Sequence, residues 1–339
     1  MNLINIYPAF EKNNIPIVFE SSNYFIPYLS VALLTLIENT TDENNYDIII
    51  LGEEIDGLDK YKIMSLANNK ENISIRFYNP YNFVKSYIDK AKFYYLSLNY
   101  YRMALPWILN NYDTAINLGA DVLVKKDIAE LNSVKFRNGK MLAGVRDLGY
   151  IGRLQEDIPF KELSLENPFD YINADVLVFN LKDIRNNYKM DFVMGFWQKY
   201  KLRCAEQDAL NKLFDNNKQI LDLKWNTFPE RMTSTIDINC CPLRFINEWK
   251  KALKDPAIVH FAAVPKAWDY PLVGFGNDWW ITARKTIYYE EILLRMNRPK
   301  SKKRRFINEL GDIFLPLGSQ RREFIKKFIP KKQWGLSKK

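Results

Sequence analysis

The first part of the chain alternates short apolar runs with longer segments whose apolar residues have helical spacing. The runs 15–21, 46–52 and 72–79 have the length of strands and end in polar residues. Residues 26–39 carry apolar side chains at helical spacing, and 56–68 are predicted to form a second helix. Strands separated by helices are typical of βαβ units and a largely parallel sheet. This pattern predicts an α/β, doubly wound fold whose ligands bind beyond the carboxyl ends of the strands.

The rest of the body continues this alternation without a Gly- or Ser-rich linker. A helix over 99–111 is predicted to lead into a strand over 114–121, and 140–146 is predicted to be another strand. The later predicted elements are a strand within 171–184, helices over 185–200 and 206–216, short strands over 219–224 and 257–262, and a long aromatic helix over 277–296. Residues 1–297 are therefore expected to form one continuous domain, followed by a tail over 298–339.

Composition and cysteine spacing indicate a globular protein kept in a reducing compartment. Hydrophobic residues make up 47% of the chain and aromatic residues 14%, which argues against disorder. Cys204, Cys240 and Cys241 show no CxxC spacing. Neither a signal-peptide pattern nor an apolar run of roughly 18 residues occurs. We therefore expect a location on the cytoplasmic side of the membrane.

Polar side chains near predicted strand ends supply the parts of a metal–diphosphate site. Asp121 closes the strand 114–121, and His260, the single histidine, lies in the strand 257–262 shortly before Lys266. Carboxylate and imidazole suit Mn²⁺ or Mg²⁺, and a lysine adds a point charge for phosphate oxygens. A lone histidine is more often structural, but no Walker-type or Gly-rich phosphate loop competes for this role. The pattern favours a divalent cation bridged to a diphosphate.

The order of motifs from about residue 15 to about residue 280 resembles glycosyltransferase family 8. The matching segments are "IPIVFESSNYFIPYLSVALLTLIEN", "YYRMALPWIL", "NLGADVLVKKDIAEL", "YINADVLVFNL", "EQDALN", "KWN" and "HFAAVPKAW". Each segment alone is weakly diagnostic, whereas their order is specific. The resemblance implies a GT-A fold, with a Rossmann-like doubly wound mixed sheet flanked by helices. It also implies retaining transfer of a sugar from a nucleotide donor.

The resemblance assigns one group of residues to the metal and the donor. Asp121 matches the second Asp of the family's DxD motif, and His260 matches the other protein ligand of Mn²⁺ or Mg²⁺. Lys266 matches the lysine that contacts the donor diphosphate, and Arg102 matches an arginine that faces the donor sugar and phosphates. A UDP-sugar is the implied donor.

A second group corresponds to the family's sugar pocket and reacting centre. Asn173 and Ala174 fall where the family lines the donor-sugar pocket. Asp147 falls at a carboxylate near the reacting centre, Gln207 at the position close to the anomeric carbon, and Glu206 where the family usually has Asp. The resemblance implies that Gln207 orients the sugar and stabilises an oxocarbenium-like centre, since an amide is a poor nucleophile.

The chain departs from the family at two positions that bear on the metal. Gly119 stands where the family has the first Asp of DxD, and Asp175 stands where it has glycine. We hypothesise that the carboxylate gained at Asp175 compensates for the one lost at Gly119. Ala263 and Ala267 replace a glycine and a proline of the family's histidine motif. These departures favour an alternative to an active transferase, namely a catalytically degenerate family member that acts as a binding or accessory subunit.

The positive charge of the chain is concentrated in its last 42 residues. Residues 298–339 contain 14 Lys or Arg and three acidic residues, whereas the formal charge of the whole chain is +9, so the body is nearly neutral. Phe and Ile residues and Trp334 are interspersed among these cations. Apolar anchors beside a polybasic run suit an anionic membrane surface. A solvated tail and a nucleic-acid arm are the alternatives, but the body shows no nucleic-acid-binding motif.

The family resemblance implies a hexosyltransferase, and the basic tail predicts that it associates peripherally with the inner face of the membrane. We expect it to move glucose or galactose from a UDP-sugar to a saccharide or lipid-linked glycan. Lipopolysaccharide or cell-surface glycan synthesis is the expected setting, because the basic amphipathic tail would hold the enzyme where such acceptors are exposed.

Overall fold

The computed structural model describes residues 5–91, 96–137, 139–153, 163–196, 199, 202, 204–230, 238–262, 266–296 and 319. Its strands in chain order are Asn14–Glu20 (β1), Asn45–Leu51 (β2), Ile73–Tyr78 (β3), Thr114–Leu118 (β4), Val122–Val124 (β5), Leu142–Arg146 (β6), Ile172–Asn180 (β7), Lys218–Leu221 (β8) and Ile258–His260 (β9). Within these residues, seven strands form one sheet in the order β3-β2-β1-β4-β7-β6-β8, and β5 pairs with β9.

Helices of varied length connect these strands. In chain order they are Ile26–Glu38 (α1), Gly57–Met64 (α2), Tyr81–Asp89 (α3), Ser97–Ile108 (α4), Ala129–Asn132 (α5), Leu148–Ile151 (α6), Leu181–Asn187 (α7), Met190–Phe196 (α8), Ala205–Leu213 (α9), Leu243–Lys254 (α10), Gly276–Ala283 (α11) and Tyr289–Arg295 (α12). Among the described residues, no helix combines the length and the apolar character needed to cross a membrane.

The sheet has a hydrophobic core on each face. Successive side chains of a strand point to opposite faces, so Ile17 and Phe19 of β1 enter one core while Val18 enters the other. Helix α1 packs in the first core, and α4 packs in the second. Burial on both faces explains why β1 and β2 are almost continuously apolar. The predicted α/β mixed sheet is confirmed.

The direction of the strands reverses next to β4, and this reversal positions the site. Strands β3, β2, β1 and β4 are parallel to one another, whereas β7 runs antiparallel to β4 with Leu118 opposite Val176. The backbone N–H of Gly119 therefore donates to the carbonyl of Asp175 at 2.9 Å. In the small sheet Val122 pairs with His260. These two pairings bring distant parts of the chain together around Asp121.

Several predicted elements have different bounds in the structure. The strand predicted over 114–121 ends at Leu118, because the chain turns there to start β5. The helix predicted over 185–200 begins earlier, at Leu181, because the side chain of Asn180 accepts a hydrogen bond from the Asp183 N–H. The predicted helix is also interrupted, because α7 ends at Asn187 and α8 begins at Met190.

The long helix predicted over 277–296 is two helices, α11 and α12. After α11 the N–H groups of Lys285 and Thr286 bond to carbonyls three residues back, and the Thr286 hydroxyl donates to the Ala283 carbonyl at 2.9 Å. These bonds satisfy the last carbonyls of α11 and end it. The aromatic periodicity continues across the turn, which is why the sequence predicts a single helix.

Candidate metal and donor-binding site

One histidine and two carboxylates converge beyond β4. Asp121 lies between β4 and β5, Asp175 lies on β7 and His260 ends β9. One ligand atom from each residue lies within 4.8 Å of the others. The His260 Nε2 atom is 3.4 Å from Asp121 Oδ1 and 3.4 Å from Asp175 Oδ2. Carboxylate oxygen and imidazole nitrogen together are a donor set that suits a divalent cation such as Mn²⁺.

The hydrogen bonds around His260 leave Nε2 as a lone-pair donor. Asn226 donates through Nδ2 to Asn173 Oδ1 at 3.0 Å, which orients its Oδ1 towards His260 Nδ1 at 2.9 Å. An acceptor at that position fixes the proton on Nδ1. Nε2 is buried and makes no hydrogen bond to any described residue. A buried, unpaired ring nitrogen between two carboxylates is the feature that a cation would satisfy.

Lys266 is paired with Asp121 on the side away from His260. Its Nζ donates to Asp121 Oδ2 at 2.5 Å and to the Phe261 carbonyl at 2.6 Å. Burial alone would raise the pKa of Asp121, but attraction to Lys266 holds it well below its usual range. Asp121 is therefore an anion that is ready to bind a cation.

Arg102 lies buried at the centre of a cluster of three acidic side chains. Its Nη2 donates to Glu20 Oε2 at 3.0 Å, and its Nη1 contacts Glu206 Oε1 at 3.0 Å and Asp175 Oδ1 at 3.3 Å. Burial would lower the pKa of Arg102, but attraction to Glu20, Asp175 and Glu206 outweighs it and raises the pKa. The guanidinium is thus a permanent positive charge among these three carboxylates.

The two glutamates of this cluster respond to burial more than to Arg102. Burial raises the pKa of Glu206 to about 7, although Arg102 opposes the shift. Burial also raises the pKa of Glu20, against Arg102 and against a hydrogen bond from Asn117 Nδ2 at 2.9 Å. Glu206 therefore exchanges a proton near neutral pH, in contact with the arginine that is predicted to face the donor phosphates.

Gln207 is held rigidly beside the sugar-pocket residues. Its Oε1 accepts from the backbone N–H of Ala174 at 2.9 Å, and its Nε2 donates to Asp147 Oδ2 at 3.1 Å and to the Tyr171 hydroxyl at 3.2 Å. Asn173 also donates to Asp147 Oδ2, at 3.0 Å. The amide plane of Gln207 is thereby fixed relative to Asp147.

An open cavity of about 260 Å³ is lined both by Asp175 of the carboxylate–histidine cluster and by Gln207 with its neighbours. Among the residues that line it are Asp147, Asn173, Ala174, Asp175, Glu206 and Gln207. Ala205 begins α9 and lies in the chain between the lining residues Cys204 and Glu206. It has a φ of 41°, in the left-handed region that a residue with a Cβ rarely adopts. This strained start of the helix orients the two residues that follow it, Glu206 and Gln207.

The structure brings together every residue that the sequence analysis assigned to the metal, the donor and the reacting centre. The site also contains residues that the sequence analysis did not assign, among them Glu20, which binds Arg102, Asn226, which orients His260, and Tyr171, which accepts from Gln207. Glu20 could have been suspected, because it is an acidic residue that ends an apolar strand. Ala267 is fully buried, and Ala263 lies outside the described residues.

Comparisons with known proteins show the family to which this chain belongs. The sequence model of glycosyl transferase family 8 matches residues 16–271. A candidate glycosyltransferase of Haemophilus influenzae is 28% identical over 223 residues, which are 63% of this chain and 63% of that protein. This chain therefore spans less than two thirds of that relative's length.

Two solved structures show the same fold. The bifunctional glycosyltransferase WbbM aligns with a TM-score of 0.78 at 22% identity, over 86% of this chain and 53% of WbbM. The galactosyltransferase LgtC, solved with donor and acceptor sugar analogues, aligns with a TM-score of 0.65 at 19% identity, over 86% of this chain and all of LgtC. With the family match covering most of its length, the chain belongs to glycosyltransferase family 8 and has a GT-A-like fold.

Proposed function

We propose that this protein transfers glucose or galactose from a UDP-sugar to a hydroxyl of a saccharide or lipid-linked glycan, with retention of configuration. The main support is the buried, unpaired Nε2 of His260, which lies between the carboxylates of Asp121 and Asp175. The family membership and the likeness to LgtC support the choice of donor class. Residues 1–297 would form the catalytic domain in this proposal.

Asp121, Asp175 and His260 would hold Mn²⁺ or Mg²⁺, which when bound supplies Lewis-acid neutralisation of the donor diphosphate. Lys266 and Arg102 would stabilise the negative charge that grows on the diphosphate as its bond to the sugar C1 breaks. The acceptor oxygen bonds to C1 on the face that the diphosphate leaves, and the acceptor proton passes to a released phosphate oxygen.

Gln207 would orient the sugar and would not attack it. Its Oε1 and Nε2 are both committed to protein hydrogen bonds, which fix the amide beside Ala174 and Asp147. A fixed amide dipole stabilises positive charge on the sugar ring without paying for reorientation during the reaction.

Replacing Gln207 by Ala is expected to slow donor turnover by about 100-fold, the effect of removing one preorganised dipole. Affinity for Mn²⁺ should stay unchanged, because Gln207 does not contact the metal ligands. Turnover to water can be followed as UDP released from UDP-glucose and UDP-galactose. Proton NMR of the first hexose formed should show the α anomer, which reports retention.

Gln219 on β8 provides a matched control, because it lies outside the cavity lining. Gln219→Ala should turn over donor at the wild-type rate. Release of the β anomer would refute the retaining mechanism, and a Gln207→Ala rate close to wild type would refute the role of Gln207.

We also propose that the tail, residues 298–339, holds the enzyme on the anionic inner face of the membrane. Replacing Lys326, Lys327, Lys331 and Lys332 by Gln should weaken binding of the full chain to phosphatidylserine-containing vesicles by at least about 10-fold, since each well-placed cation contributes roughly 1 kcal/mol. Sedimentation with vesicles, compared with duplex DNA at the same salt concentration, measures this.

A matched control carries the same charge change on the body. Lys90, Lys182, Lys250 and Lys254 are exposed and lie far from the tail in sequence, and their replacement by Gln should leave vesicle binding almost unchanged. Equal loss in both variants would show a nonspecific effect of charge. Stronger binding to the duplex than to vesicles would favour a nucleic-acid arm.

One observation favours a second candidate, a binding or accessory subunit that has lost catalysis. Gly119 provides no carboxylate where the family has one. This alternative predicts that UDP-sugar binding does not depend on a divalent cation.

A further inference from the structure

Position 119 and position 175 face each other across the pairing of β4 with β7. The Gly119 N–H donates to the Asp175 carbonyl at 2.9 Å. A Cβ atom at position 119 would lie 2.9 Å from the Asp175 Cβ, 3.0 Å from its Cγ and 2.9 Å from Asp121 Oδ1. Real Cβ atoms almost never approach other carbon atoms so closely. The Asp175 side chain therefore occupies the space that a side chain at 119 would need.

The carboxylates of Asp121 and Asp175 are arranged alike around His260. Asp121 directs Oδ1 to His260 Nε2 and Oδ2 to Lys266. Asp175 directs Oδ2 to His260 Nε2 and Oδ1 to Arg102. Each carboxylate thus offers one oxygen to the space beside Nε2 and binds a cationic side chain with the other.

We propose that Asp175 is a metal ligand supplied by β7, and that it replaces the ligand absent at Gly119. This inference rests on the proposed function, because it concerns the same cation. It goes further in stating that the two positions form an exclusive pair: a carboxylate at either one completes the site, and carboxylates at both overcrowd it. Asp175 would also place Arg102 next to the cation, since the same carboxylate contacts the guanidinium through Oδ1.

The test is Mn²⁺ binding to the full chain without nucleotide, measured by calorimetry and by the electron paramagnetic resonance of free Mn²⁺. Asp175→Gly should weaken binding by at least about 10-fold, since loss of a ligand costs no less than loss of a supporting partner. Asp175→Asn, which keeps nearly the same shape, should weaken binding similarly. Gly119→Asp alone should also weaken it, because of the contacts at about 3 Å. The double variant Gly119→Asp/Asp175→Gly should recover to within about 10-fold of wild type.

Asp170 provides the control, since it is a carboxylate paired with Arg146 away from the cluster. Asp170→Asn should bind Mn²⁺ like wild type, and circular dichroism should confirm that every variant is folded. Wild-type affinity in Asp175→Asn, or a double variant weaker than both Asp175→Gly and Gly119→Asp, would overturn the inference. A wild-type chain that binds no Mn²⁺ would instead overturn the metal-dependent function itself.

Discussion

Arg102→Met is expected to lower the free energy of unfolding by about 3–5 kcal/mol, the usual cost of removing one partner from a buried ion cluster. Methionine preserves most of the side-chain volume, so the loss comes from electrostatics. Glu20 and Glu206 would remain buried without the guanidinium that they now contact at 3.0 Å. Urea unfolding of the full chain measures the change.

The loss of stability in Arg102→Met should also depend on pH. The folded-state pKa of Glu206 is about 7, above its ordinary value of 4.5, so the folded protein binds more protons than the unfolded chain between these values. Its contribution to stability is therefore present below about pH 4.5 and decreases as the pH rises towards 7. Without Arg102 the carboxylates would hold protons more strongly still, so the destabilisation should be larger at pH 8 than at pH 5.

Two variants separate this effect from a general loss of packing. Lys182→Met removes an exposed cation that lies 3.5 Å from Asp113, and it should change stability by less than about 0.5 kcal/mol. Adding Glu206→Gln to Arg102→Met should restore part of the lost stability. An Arg102→Met protein as stable as wild type at pH 8 would contradict the role of Arg102 in neutralising the buried Glu20 and Glu206.

His260→Ala is expected to weaken Mn²⁺ binding by at least about 100-fold, since it removes a metal ligand outright and loss of supporting partners alone costs 10- to 100-fold. Metal-dependent binding of UDP should be lost with it. Nε2 is buried and makes no hydrogen bond to a described residue, and His260 is the single histidine of the chain.

The companion variant Asn226→Ala tests the orientation of the ring. It removes the acceptor at 2.9 Å from Nδ1 and leaves the ligand itself in place. We expect an affinity between those of wild type and His260→Ala. A folded His260→Ala protein that binds Mn²⁺ like wild type would show that the cluster is not a metal site.

The sequence predicts the fold well because its strands and helices differ in periodicity. Buried strands such as β1 and β2 are short apolar runs bounded by polar residues, and α1 has apolar residues at helical spacing. Errors occur where local hydrogen bonds decide the bounds. Thr286 ends α11 by bonding to a carbonyl within its own turn, which an apolar periodicity does not register.

The sequence predicts candidate site residues but not how they contact one another. Asp121 and His260 could be proposed as ligands, yet only the pairing of β5 with β9 places them together. Glu20 could not be linked to Arg102 from the sequence, because the two are 82 residues apart and terminal glutamates of strands are often solvated. The compensation between Gly119 and Asp175 was a hypothesis from two substitutions, and the steric contact between these positions supports it.

The most direct test of the proposed function is calorimetric titration of UDP, UDP-glucose and UDP-galactose into the full chain, first with Mn²⁺ and then with a chelator. We predict that binding requires Mn²⁺ and that one of the two UDP-sugars binds more tightly than the other UDP-sugar. Binding that is equal with and without the cation, or no binding in either condition, would contradict a metal-dependent transferase and favour the accessory subunit.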